Sequence, residues 1–150
     1  MDNKTGSDIR IIQIVYAALM AGIAFFAGMS LLLNLLQGPS IDDATMNSAL
    51  MVISVVFLGN IPIGIVLFKK RLETTESQNL DEKLATYRGA MIVRAALMEG
   101  SGFFGIVCFL LTGNNGFILL AAIILAIIAY FFPTRERMAT ELGISSSELE

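Results

Sequence analysis

Four long apolar runs separated by short polar segments leave this chain few ways to fold. Ile11 to Leu36, Met46 to Phe68, Ala90 to Leu111 and Phe117 to Phe132 are those runs. Each can cover most or all of a hydrocarbon layer of about 30 Å at about 1.5 Å per residue. The last is the shortest, which puts Pro133 and Thr134 at the interface. In lipid an open sheet edge or bare loop would leave its N–H and C=O groups unpaired, so the runs must be helices. Hydrophobic residues are 55% of the chain and charged ones 15%, and they fall in blocks as in a membrane protein rather than a soluble core. The expected fold is an all-α integral membrane protein, one transmembrane domain over residues 1–150 with a tail from Pro133.

Lys and Arg placement predicts the orientation. Lys4 and Arg10 precede the first run, Lys69, Lys70, Arg71, Lys83 and Arg88 lie between the second and third, and Arg135 and Arg137 follow the fourth. The connections Gln37 to Thr45 and Gly113 to Gly116 contain neither residue type. Under the positive-inside rule both termini and the middle loop are cytoplasmic, with the protein multi-pass. The first run is about twice the usual signal core of 7 to 15 residues and ends in no convincing cleavage site, so it is expected to stay in the membrane. A single cysteine, Cys108, and no histidine make haem, iron-sulfur and zinc sites improbable. No cofactor is expected, and nothing is basic enough to suggest nucleic acid.

Along the chain, Asp8 can cap a first helix starting near Ile9. Ala17, Ala21, Ala24 and Gly28 then line one helix face, read as a packing surface for a neighbouring helix. Gln13, Tyr16 and Asn34 fall near the ends, where interfacial water can satisfy them. Asp42 and Asp43 read as a solvated loop rather than a metal site. In the second run Pro62 removes a donor and frees the carbonyl of Leu58, predicting a kink beside Asn60. Leu80, Leu84 and Tyr87 fall at helical spacing behind an Asn79–Glu82 capping pattern, so a short amphipathic helix is expected to run into the third span, resting on the membrane surface or the C-terminal tail. Arg94 can snorkel to the cytoplasmic headgroups, and Tyr130 with Phe131 and Phe132 forms an interfacial girdle. Gly143 ends a short tail helix with Met138 and Leu142 on one side, followed by an acidic end.

Glu99 is the residue that most invites a functional reading, because an ionisable group in mid-membrane is costly unless paired, hydrated or protonated. It lies about 140° around the helix from Arg94, which strains a bridge between the two. Asn60 lies eight residues from Phe68, and Glu99 eight from Met91, so both sit at similar depth. If those helices meet face to face, Asn60, the Leu58 carbonyl, Ser101 and Glu99 would converge; the alternative is an ordinary proline kink whose Asn bonds its own backbone. Ser101, Gly105, Cys108 and Thr112 form a small-residue stripe that predicts a helix surrounded by protein. The segment around Glu99, AALMEGSGFF at 95–104, also echoes AALMAGIAFF at 17–26, with Ala21 standing where Glu99 stands. That repeat predicts two duplicated parallel helical hairpins related by an approximate axis along the membrane normal.

Three motifs carry a resemblance: Lys69 to Leu72, then Ala96 to Asn114, then Pro133 to Arg137. They resemble a family of small, uncharacterised four-span bacterial membrane proteins with a KKRL-type end to the second span, an ALxEGxxFFxIVxFLLTGN segment and a PT[KR]E[KR] tail. The resemblance covers most of the second half and more loosely the first; it implies residence in a bacterial cytoplasmic (inner) membrane and supports singling out Glu99 and Gly100, but implies no activity. A fainter similarity is to rotor proteolipids of rotary ATPases, whose ion-binding Glu precedes a Gly-aromatic stretch as Glu99 precedes Gly102 to Gly105. The long middle loop, the absence of a Pro before Glu99 and a first span without dense Gly repeats depart from that pattern, leaving a fold-level analogy.

Two functions follow from these readings. One is a structural or accessory membrane subunit, a homo-oligomer or part of a larger complex, in which a protonated Glu99 bonds across helices. The other is a proton or cation carrier or channel component with Glu99 as the ion-binding carboxylate. An enzyme is not expected, because no nucleophile–base pair, metal cluster or phosphate loop can be assembled.

Overall fold

The computed structural model of the chain describes residues 2–41, 43–74 and 79–145. It is helical throughout, in the order α1 (Asp2–Gln37), α2 (Ala44–Phe57), α3 (Asn60–Glu73), α4 (Leu80–Thr112), α5 (Asn115–Tyr130) and α6 (Arg135–Leu142). Three stretches are long and apolar enough to cross a membrane: Ile9–Gln37, the α2–α3 pair over Ala44–Glu73, and Leu80–Thr112. A fourth is available if α5 and α6, bent by 74° at Pro133, count as one span. The helix starts follow their caps. Asp43 accepts from the N–H groups of Thr45 and Met46 at 2.7 and 3.2 Å, Asn79 from Glu82, Asn114 from Gly116 and Thr134 from Arg137. Gly113 and Gly143 end α4 and α6 at φ 66° and 64°, a conformation that costs any other residue. Since α1 begins at Asp2, Asp8 lies inside the helix rather than at its cap. Asp42 and the acidic end at 146–150 lie outside the described residues.

α4 is the axis. α1, α2, α3 and α5 all lie against it, and α1 also meets α5. Half of its most apolar window is buried, against 11% for α1 and for α2–α3. Ser101, Gly105, Cys108 and Thr112 are all buried, as the small-residue stripe predicts. Close approach is built on glycine: a Cβ at Gly105 would sit 3.3 Å from the carbonyl oxygen of Phe117 on α5, and one at Gly64 would sit 3.4 Å from that of Arg94. Small residues at such crossings let backbones touch, which supplies dispersion where lipid offers no hydrophobic drive.

The stripe Ala17, Ala21, Ala24 and Gly28, by contrast, is exposed along its length. α1 docks instead through Ile9, Ile12, Tyr16 and Ile23, large side chains that fill the grooves of α4 and α5. Its polar residues are held by protein rather than by interfacial water: Gln13 Nε2 donates to the Pro133 carbonyl at 3.0 Å and Tyr16 Oη to that of Ile128 at 3.0 Å. At the other end Asn34 Nδ2 reaches the carbonyls of Phe109 and Leu110. These contacts make α1 and α4 parallel, and the repeated segments meet where Phe26 lies 5.4 Å from Phe103, centroid to centroid. The outer surface is otherwise an apolar belt of residues such as Ile14, Phe25, Leu32, Val52, Val56 and Leu119.

Candidate functional site

The polar residues expected to converge divide into separate places. Pro62 has no N–H to offer the Leu58 carbonyl, yet that carbonyl is not free: the Ile61 N–H donates to it at 3.1 Å. Ile61 is thereby withdrawn from Phe57, whose carbonyl is the one released. Ser101 Oγ donates to that carbonyl at 2.8 Å, and Asn60 Nδ2 donates to Ser101 Oγ at 3.2 Å. The break between α2 and α3 is thus stitched to α4 by a serine. The same Oγ lies 3.2 Å from the Leu97 carbonyl, so its single proton is shared. Ser101→Ala is expected to cost about 1 kcal/mol, the scale of an interhelical hydrogen bond in a membrane protein. Denaturant unfolding in micelles measures it; unchanged stability would mean that the stitch carries no energy.

Glu99 takes no part in that group. It is half-buried on the opposite side of α4, facing α1: a Cβ added at Gly22 would lie 4.0 Å from its Oε1. Among the described residues it has neither hydrogen bond nor ion pair. Next to it α4 presents an uncovered face. Ile92, Ala96, Gly100 and Val107 are exposed there, in the gap between α1, which reaches Phe103, and α2, whose Phe57 stacks on Phe104 at 4.4 Å. Among the described residues nothing lies within 4 Å of the Cβ that Gly100 lacks. A carboxyl group at mid-span, without a partner among the described residues, therefore stands beside an uncovered strip of α4 that is lowest at Ala96 and Gly100.

A second cluster, at the end of the bundle that carries α6, was only half legible. Arg94 does not reach outward to headgroups. It is 1% exposed, with its guanidinium carbon 3.9 Å from the ring centroid of Phe68 and 4.7 Å from that of Phe131. The reason is α6, which folds back after Pro133 and buries Met138, Ala139 and Leu142 against the core. The fold-back delivers Glu141, whose Oε1 lies 3.6 Å from Arg94 Nη1 and whose Oε2 accepts from Tyr87 Oη at 2.7 Å. Sequence reasoning missed Glu141; the available signal was its place beside Leu142 on a short amphipathic helix, with Leu84 and Tyr87 needing cover. Tyr130 is exposed, its ring 4.7 Å from the Arg137 guanidinium carbon and its carbonyl accepting from Arg137 Nη1.

Among the described residues no three His, Cys, Asp or Glu side chains come close enough to hold a metal ion. The chain matches no protein-family model, no curated protein and no solved structure.

Proposed function

We propose that this chain is a small structural or accessory membrane subunit that works in a homo-oligomer or a larger membrane complex, with Glu99 at the contact between subunits. It crosses a bacterial inner membrane four times, with both termini cytoplasmic, and arose by duplication of a helical hairpin. The carrying observation is Glu99 itself, a half-buried carboxyl group with no partner among the described residues, beside an exposed Gly100. A carboxyl group left there against acyl chains costs several kcal/mol, and a helix from another subunit lying on the uncovered strip of α4 relieves that cost by covering it and supplying a hydrogen bond. The positive-inside pattern supports the orientation, and the 17–26 and 95–104 repeat supports the duplication.

The test is cross-linking in native membranes from Gly100→Cys, the one native cysteine being buried. A bifunctional thiol reagent is expected to give dimers with a second copy or a heavier adduct with another subunit. Glu99→Leu should abolish the adduct, whereas Glu99→Gln, which keeps most of the hydrogen bonding, should preserve it. Absence of any adduct with the wild-type Glu99 present would overturn the proposal.

The same unligated carboxyl favours a second reading, a proton or cation carrier in which Glu99 binds the ion. Against it, Asn60 and Ser101 are committed to each other on another face, so neither of them serves as a further ligand at Glu99. In proteoliposomes the carrier reading requires ion flux that Glu99→Gln eliminates; the accessory reading expects no such flux.

A further inference from the structure

Beneath α6 lies a cavity of about 640 Å³, bounded by α3, α4, Phe131 at the end of α5, and α6. That is within the range of roughly 300–1,000 Å³ usual for small-molecule sites. Arg94 lines it, and its charge is not fully used. Among the described residues only the Glu141 carboxylate is bridged to it, at 3.6 Å from Nη1, while Nε and Nη2 are buried with no hydrogen-bond partner. Those two nitrogens share one edge of the guanidinium plane, the fork that grips two oxygens of a phosphate or carboxylate side by side. Leaving both unpaired on a cation that is 1% exposed is expensive, and the rings of Phe68 and Phe131 cannot accept in-plane hydrogen bonds.

The rest of the wall points to the sign and shape of an occupant. Lys69 and Lys83 join Arg94 against Glu73 and Glu141, so cations outnumber carboxylates. Ile65, Leu72 and Leu142 make the remainder apolar. A bare inorganic anion would use the fork and waste the apolar wall. The cavity also sits level with Lys69, Lys70 and Arg71, where α3 leaves its apolar stretch.

We propose that this cavity binds the phosphate of an anionic amphiphile, with the Arg94 guanidinium turning from its closed position so that Nε and Nη2 meet two phosphate oxygens, Lys69 and Lys83 facing the same charge, and the apolar wall taking the first carbons of the chain. The shared chemistry is a phosphate ester on an apolar body, which a bilayer phospholipid supplies from the side and a free phosphate ester from solution. Assembly through Glu99 is a separate matter, since Glu99 lies on the face of α4 beside α1 and outside the cavity lining.

The experiment uses the full chain in a zwitterionic detergent, titrated with dioctanoyl phosphatidylglycerol, dioctanoyl phosphatidylcholine, octyl phosphate or inorganic phosphate, and read by thermal unfolding and native mass spectrometry. A ligand that binds only the folded state raises Tm saturably. Phosphatidylglycerol or octyl phosphate is expected to do so and phosphatidylcholine is not; which of the two acts at the lower concentration identifies the source. Arg94→Lys keeps the charge but removes the fork, and should weaken binding by about tenfold or more. Thr140→Trp, which fills the cavity from an exposed position on α6 and leaves Arg94 itself unchanged, should abolish it. Should Arg94→Lys fail to fold, Thr140→Trp and Lys83→Gln carry the test. Shifts that survive in these variants, equal shifts with phosphatidylcholine, or a full shift from inorganic phosphate alone would overturn the proposal.

Discussion

Glu141→Ala is expected to lower stability by about 2–3 kcal/mol, a large effect for one residue on an eight-residue terminal helix. The carboxylate does two jobs, facing the Arg94 guanidinium and accepting from Tyr87 Oη. Removing it leaves a cation that is 1% exposed with only aromatic faces for company, and leaves a fully buried tyrosine hydroxyl unpaired. The figure sits below that for a wholly buried pair because Glu141 is itself 22% exposed. A double-mutant cycle of Arg94→Met and Glu141→Ala separates the pair from its surroundings: the double variant should recover the part of the loss that comes from the unpaired cation, while the Tyr87 hydroxyl stays unpaired. Denaturant titration in micelles supplies the four free energies. If Glu141→Ala alone changes nothing, α6 is not held by this contact.

The second large effect is expected at Gly105. Here even a methyl group meets the Phe117 carbonyl oxygen at 3.3 Å and the Ala121 Cβ at 3.8 Å, so Gly105→Leu must push α5 away from the axis helix. Overpacking of this kind costs about 1–3 kcal/mol, and the upper end applies because the obstacle is backbone that cannot change rotamer. Gly100→Leu, on the same helix but over open space, is the matched control and should leave the single-chain fold intact. Equal destabilisation by both would mean that α4 and α5 do not cross at Gly105.

What the chain's letters revealed, and what they hid, follows from where the information sits. Apolar length predicted the helices that could cross a membrane, because that property is carried by each run alone. The buried stripe of Ser101, Gly105, Cys108 and Thr112 was readable for the same reason: small residues four or three apart have few uses other than close packing. The Ala17 to Gly28 stripe obeyed the same pattern and turned out exposed, because a stripe does not say whether its partner belongs to the same chain. The proline kink was legible but not its consequence. Which carbonyl becomes free depends on how Ile61 re-bonds, and the backbone chose Leu58 and released Phe57. Arg94 was misplaced for a tertiary reason: its surroundings depend on α6 turning by 74° to α5, which Pro133 permits but does not dictate.

The dependence of every other span on α4 has a consequence for biogenesis. As the ribosome delivers the chain, α1 and the α2–α3 pair enter the bilayer first, yet their principal contacts are with a helix not yet made. A product released after Glu73 would hold two inserted helices with little to bind them, prey for membrane proteases, whereas release beyond Thr112 leaves the organising strut in place for both.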